Sequence, residues 1–226
     1  MTFRKIKLAI YSLFLTNLYG FKAKPLTNTQ DIKKTRFTYA KTLLEKLKIS
    51  VKVENQERLV SGKQYLILSN HRGIIDPLIL EMALEPTDIF GYWISKKELY
   101  NSFFYGVFVR NSGAILLDRE QKQMSGFFAE VKKKVKEGSS IFIFPEGTRN
   151  KSDEPLIEFK EGFRIIALKN RLPILPVYIE TRTDKALGSA LDGRDEELEI
   201  TIKIGEEIDY KCKDNIQELY KNMFNL

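Results

Sequence analysis

From residue 50 onward the chain alternates short apolar runs with segments of helical periodicity. The runs are YLILS (65–69), DIFGYWIS (88–95), GAILLD (113–118), SIFIF (140–144) and ILPVYIE (174–180). Helical patterns occupy PLILEMAL (77–84), KELYNSFFYGVFVR (97–110), residues 122–137, GFRIIALKN (162–170) and DNIQELYKNMF (214–224). ELEITIKIGEEI (197–208) reads as one long or two short edge-type strands. A continuous apolar run bounded by turn signals fits a strand buried on both faces. Strands alternating with helices pack as a sheet between helical layers. The expected fold class is therefore α/β, a mixed and largely parallel sheet flanked by helices, with SIFIF as its clearest central strand. At 43% hydrophobic residues the chain can bury a sizeable core.

The first 50 residues follow a different pattern. The chain of 226 residues carries a net charge of +7. Residues 1–48 hold eleven basic and two acidic side chains, a net of +9, which leaves −2 for the remaining 178 residues. A nucleic-acid partner is not expected, because the basic character does not belong to the α/β portion. FRKIKLAIYSLFLTNLYGF predicts a helix with a narrow stripe of Lys5, Ala9, Ser12, Thr16 and Gly20 and an otherwise apolar surface. The apolar stretch Leu8–Leu15 is shorter than the roughly 20 residues a membrane span requires. No small-x-small cleavage site follows it. An interfacial helix with flanking Lys and Arg is the favoured reading; a packed helix, or a span or signal, are the alternatives. A second helix is expected over Asp31–Lys48, after the turn in PLTNTQ. The expected organisation is a two-helix membrane-docking element over 1–50, giving an amphipathic helical hairpin, and an α/β domain over 51–226.

One cysteine, Cys212, precludes an intramolecular disulfide and fits a reducing compartment. One His and one Cys leave no conventional zinc site, so no metal and no cofactor are expected. A peripheral, monotopic protein on the cytoplasmic face of a membrane is the matching expectation. Among the familiar nucleotide and hydrolase signatures, GxSxG, the P-loop and GxGxxG do not occur.

Polar groups instead cluster after the strand runs, where sites form in open α/β sheets. YLILS leads to His71, the only histidine, in SNHRGIIDP. A neutral imidazole can take a proton from a hydroxyl when an acceptor fixes its other nitrogen. Asp76, five residues on, could be that acceptor; as the residue before Pro77 it also reads as a helix N-cap. Both readings stay open on this motif alone. GAILLD leads to Asp118 and Arg119, and SIFIF leads to FPEGTRN (144–150). Gly147 permits close backbone approach, and Thr148 and Arg149 can bind phosphate oxygens; a tight turn with a solvated Arg is the alternative.

SNHRGIIDP, GAILLDRE, FPEGTRN and LPILPV, in this order over about residues 63–180, resemble the four sequence blocks of the PlsC-type glycerolipid acyltransferases. SKKEL (95–99) and the N-terminal helical pair are also similar to that family. Asn150 stands where many members have Ser, and Ile74-Ile75 make the first block more apolar than in many relatives. The resemblance implies a 1-acylglycerol-3-phosphate acyltransferase that esterifies the sn-2 hydroxyl of lysophosphatidic acid from acyl-CoA or acyl carrier protein. It implies His71 as general base and Asp76 as the residue that orients it. Arg119, Glu146, Gly147, Thr148 and Arg149 would hold the acceptor phosphate, with Lys96 as a further contact. Pro173 to Val177 would shape the acyl or thioester channel. Backbone amides of the 72–75 loop are candidate oxyanion donors. The alternatives are acylation of another lysophospholipid or amphipathic alcohol, and a non-catalytic lipid- or phosphate-binding membrane protein.

Overall fold

The structure, a computed structural model, describes residues 2–118, 124–194 and 196–226. Among these residues, seven strands form one sheet: β1 (Ile49–Glu54), β2 (Leu66–Ser69), β3 (Gly91–Lys96), β4 (Ala114–Leu117), β5 (Ser140–Ile143), β6 (Ile174–Ile179) and β7 (Leu198–Ile204). Their order is β1-β7-β6-β2-β5-β3-β4. All neighbours pair in parallel except β6 with β7, so β1 and β7 run against the other five. The expected α/β class and largely parallel sheet are what the chain forms.

Strand alternation divides the core. Ile67 points into one hydrophobic cluster, and its neighbours Leu66 and Leu68 point into another. The first face is covered by α1 (Phe3–Ala23), α2 (Thr29–Lys46), α3 (Asp76–Leu84) and α8 (Thr183–Asp192). The second is covered by α6 (Ser125–Lys136), α7 (Gly162–Asn170) and α9 (Ile216–Phe224). Because both faces of β2 are buried, Leu66, Ile67 and Leu68 run without apolar–polar alternation.

The stretch 97–110 is not the single helix its periodicity predicts. It splits into α4 (Lys97–Tyr100) and α5 (Gly106–Asn111). The Ser102 hydroxyl accepts the backbone N–H groups of Phe104 and Tyr105, each at 3.2 Å, and so offers the backbone an alternative to the helix ladder.

The N-terminal hairpin forms as expected and is tied into the α/β layers. Arg36 of α2 is buried, donating from Nε to Glu81 of α3 at 2.9 Å and from Nη1 to the Gly91 carbonyl at 2.7 Å. Trp93 Nε1 donates to the same Glu81 oxygen at 3.0 Å. The Lys33 ammonium donates to the Leu84 carbonyl at 2.9 Å at the end of α3, a favourable place for a cation. Of the small stripe of α1, Thr16 and Gly20 face inward and Ala9 is exposed: Thr16 shares a 2.8 Å hydrogen bond with the Tyr39 hydroxyl, and a Cβ on Gly20 would lie 2.7 Å from the Phe108 nitrogen of α5. Burial of Tyr39 pushes its hydroxyl up to about 12. On the opposite side of α1, Phe3, Ile6, Ile10, Phe14 and Phe21 are exposed along one helical stripe. Among the described residues, no helix is long and apolar enough to cross a membrane.

Candidate active site

The carboxyl ends of the parallel strands β6, β2, β5, β3 and β4 lie along one sheet edge. This topology brings the polar loops after β2, β5 and β3 together. Asn70 continues the ladder beyond β2: its side chain donates to the Ile179 carbonyl at 3.0 Å and accepts the Ile179 N–H at 2.8 Å. The chain leaving β2 is thereby fixed to the end of β6, immediately before His71.

His71 Nδ1 lies 2.7 Å from Asp76 Oδ2. Asp76 is the first residue of α3, and its carboxylate turns back toward the loop, accepting the N–H groups of Arg72 at 2.6 Å and Gly73 at 2.8 Å. This corrects the reading of Asp76 as the N-cap. Ile75 occupies the cap position, and its carbonyl takes the first helical bonds from Leu78 and Ile79. A side-chain cap would have to meet donors further along α3, whereas the Asp76 carboxylate faces upstream. The same contacts engage two of the four amides expected as oxyanion donors, those of residues 72 and 73.

The other Asp76 oxygen accepts the hydroxyl of Thr183, at the start of α8. The buried carboxylate thus has four donors. This is the condition under which a buried ionisable group is tolerable.

Residues after β5 hold the histidine backbone. Glu146 Oε1 accepts the His71 N–H at 3.1 Å, and the Asn150 N–H donates to the His71 carbonyl at 2.6 Å. Phe144 stacks on the imidazole, with ring centroids 4.0 Å apart and planes 9° apart, and Trp93 stacks on Phe144 at 5.0 Å. Asn150 is itself locked, accepting from Ser152 N at 2.9 Å and donating to the Glu154 carbonyl at 2.9 Å. Arg72 pins the same segment through the Ser152 carbonyl at 3.0 Å.

The sequence-predicted residues divide by position. His71, Asp76 and Glu146 converge. Thr148 and Arg149 follow Gly147, at φ +67°, and are exposed at the same edge. Tyr105, between α4 and α5, has its hydroxyl pushed up mainly by burial, and the Arg149 charge opposes the shift. Arg149 is therefore within electrostatic reach of the α4–α5 connection. Lys96 ends β3 and precedes α4, whereas the adjacent Lys97 pairs with Asp118 at 2.9 Å. Arg119 lies outside the described residues. Glu146 is placed beneath the histidine: burial pushes its carboxyl up to about 7, the His71 N–H and Arg72 oppose the rise, and Asp76 adds to it. Pro173 immediately precedes β6, which is buried along its length and includes Ile174 to Val177.

Thr183, Asn70 and Phe144 were not singled out in the sequence. SIFIF ending in a phenylalanine at the strand terminus was the available signal for Phe144. Thr183 lies 107 residues from its partner and has no local signature.

A family model described as acyltransferase matches residues 50–180. A 1-acyl-sn-glycerol-3-phosphate acyltransferase of Helicobacter pylori is 41% identical over 115 residues, covering 50% of this chain and 47% of that protein. The Bacillus subtilis protein of the same description is 34% identical over 130 residues, 58% of this chain and 62% of that one. The matched regions thus span less than two thirds of either relative. The crystal structure of the LPA acyltransferase PlsC from Thermotoga maritima superposes with a TM-score of 0.68 at 24% identity, covering 98% of this chain and 92% of that one. This likeness establishes the shared fold. With the family model matching residues 50–180, more than half of the sequence, the chain belongs to the acyltransferase family.

Proposed function

We propose that this chain is a 1-acylglycerol-3-phosphate O-acyltransferase that moves an acyl group from a thioester donor to the sn-2 hydroxyl of lysophosphatidic acid. The carrying observation is the His71–Asp76 contact of 2.7 Å inside the matched region. The descriptions of the relatives supply the acceptor class.

With Asp76 accepting at Nδ1, that nitrogen carries the proton and Nε2 has the lone pair. Nε2 removes the proton of the acceptor hydroxyl as its oxygen attacks the thioester carbonyl. A tetrahedral oxyanion forms and collapses, the C–S bond breaks, and the imidazolium returns its proton to the departing thiolate. Ester and free thiol are the products, and the histidine ends in its starting state. Asp76 stabilises the transient imidazolium, and the Phe144 ring limits rotation of the imidazole. Exposed Arg149, with Thr148, Gly147, Lys96 and Arg119, holds the acceptor phosphate. Glu146 belongs to the same loop but serves the histidine backbone, since its carboxylate accepts the His71 N–H.

The apolar stripe of α1, flanked by Arg4, Lys7, Lys22 and Lys24, lies on the headgroup region of an anionic membrane, on its cytoplasmic face. Lysophosphatidic acid enters from that surface. The acyl donor is acyl-CoA or acyl carrier protein, and the reaction takes no metal or cofactor. The test is thiol release by purified protein on liposomes with acyl-CoA and 1-acylglycerol-3-phosphate. His71→Ala is expected to lower kcat on the order of 100-fold or more. A rate within a few-fold of wild type would remove the general-base assignment.

A further inference from the structure

Thr183 stands outside the four sequence blocks, yet its hydroxyl reaches the carboxylate at the centre of the site. It is fully buried at the first turn of α8 and donates to Asp76 Oδ1. The other three donors to that carboxylate all converge on Oδ2: His71 Nδ1, Arg72 N and Gly73 N. Oδ1 is therefore held by Thr183 across the sheet edge. The approach is close. A Cβ on Gly73 would lie 2.6 Å from Thr183 Oγ1 and 3.1 Å from its carbonyl carbon, so the loop carries glycine where α8 presses against it.

We propose, on the reading that His71 is the general base, that Thr183 is a positioning residue for the acyl-transfer reaction. Its hydroxyl fixes the rotation of the Asp76 carboxylate and so the ring plane of His71. One carboxylate oxygen serves the imidazole and its loop, and the other is tethered to α8. Without the tether the carboxylate can rotate about χ2, and the histidine loses its fixed acceptor. The hydroxyl also takes part of the carboxylate charge, so its removal leaves more negative charge facing the imidazole. The neighbouring charged groups are Arg72 and Glu146, which act on each other and on Asp76's surroundings, and Arg182 and Asp184, which flank Thr183 and pair with each other at 2.9 Å. Each is retained in the variants below.

The experiment compares wild type, Thr183→Val, Thr183→Ser and His71→Ala in the thiol-release assay across pH, with melting curves for each. Because His71 is the only histidine, its ring NMR signals can be followed through a titration without overlap from another imidazole. Thr183→Val is expected to lower kcat on the order of 10-fold, the scale of losing a hydrogen bond to a charged group, with KM for both substrates little changed. The acid limb of kcat/KM and the His71 titration should both move away from their wild-type positions. Thr183→Ser should restore the rate and both midpoints. A folded Thr183→Val protein with unchanged kcat and unchanged His71 titration would overturn the proposal, as would a folded Thr183→Ser protein that stays as slow as Thr183→Val. Where Thr183→Val does not fold, Thr183→Ala removes the same hydroxyl without a methyl against the carboxylate and is read the same way. His71→Ala at wild-type rate would instead overturn the general-base reading itself.

Discussion

The backbone N–H of His71 donates to Glu146 Oε1 across 3.1 Å, so the histidine after β2 is held by a carboxyl group that follows β5. The other Glu146 oxygen is buried and, among the described residues, accepts no close hydrogen bond, the Ile157 backbone being only a minor influence on the carboxyl. Its carboxyl is pushed from 4.5 up to about 7, chiefly by burial. The native state therefore binds this proton more tightly than the unfolded chain. Stability contributed by the neutral form is fully present below about 4.5 and is lost as pH rises through about 7. Glu146→Gln keeps the acceptor for His71 and removes the titration. Relative to wild type, the melting temperature of Glu146→Gln should rise between pH 5 and about pH 7 and level off above it, as read by thermal unfolding at unit pH steps.

Arg36 and Glu81 form a buried pair between the N-terminal hairpin and α3. Arg36→Met leaves Glu81 buried with Trp93 as its remaining side-chain donor. Breaking one side of such a pair typically costs about 3–5 kcal/mol, and replacing both partners costs less. Urea unfolding should show Arg36→Met strongly destabilised and Arg36→Met/Glu81→Met partly recovered.

Ile10 and Phe14 are 62% and 66% exposed on α1. Ile10→Glu/Phe14→Glu should leave the melting temperature close to wild type, because neither side chain packs in the core. Co-sedimentation with anionic liposomes should fall sharply. Retention of full binding would show that this stripe is not the membrane face.

On the proposed reading that Arg149 holds the acceptor phosphate, Arg149→Ala should raise KM for 1-acylglycerol-3-phosphate about tenfold or more and change KM for the acyl donor little. Steady-state kinetics with each substrate varied in turn separates the two.

The sheet was legible because burial on both faces writes itself as an uninterrupted apolar run: YLILS and SIFIF became β2 and β5 within a residue of their expected ends. GFRIIALKN became α7 with the expected bounds. α8 was missed, since TDKALGSALD buries only Thr183, Ala186 and Ala190 and carries no broad apolar stripe. At the break between α4 and α5 the Ser102 hydroxyl takes two backbone N–H groups, a local contact that periodicity does not register. His71 and Asp76 were visible because five residues separate them. The Asp76 carboxylate turned toward His71 is one of two readings the motif leaves open; its Thr183 partner was not legible, because it lies 107 residues away at the start of α8.

α8 begins at Thr183, against Asp76, and its other end meets the start of α1: Asp192 pairs with Lys5, and the Ala190 carbonyl accepts from Arg4 at 3.5 Å. Ten helical residues span about 15 Å. The helix is thus a spacer of set length between the histidine–aspartate pair and the N-terminal end of α1. On the proposed reading that α1 rests on lipid, this helix acts as a depth gauge. The height at which an acceptor alcohol must present itself would then be measured by the fold, and lengthening the acyl tail beneath would not alter it.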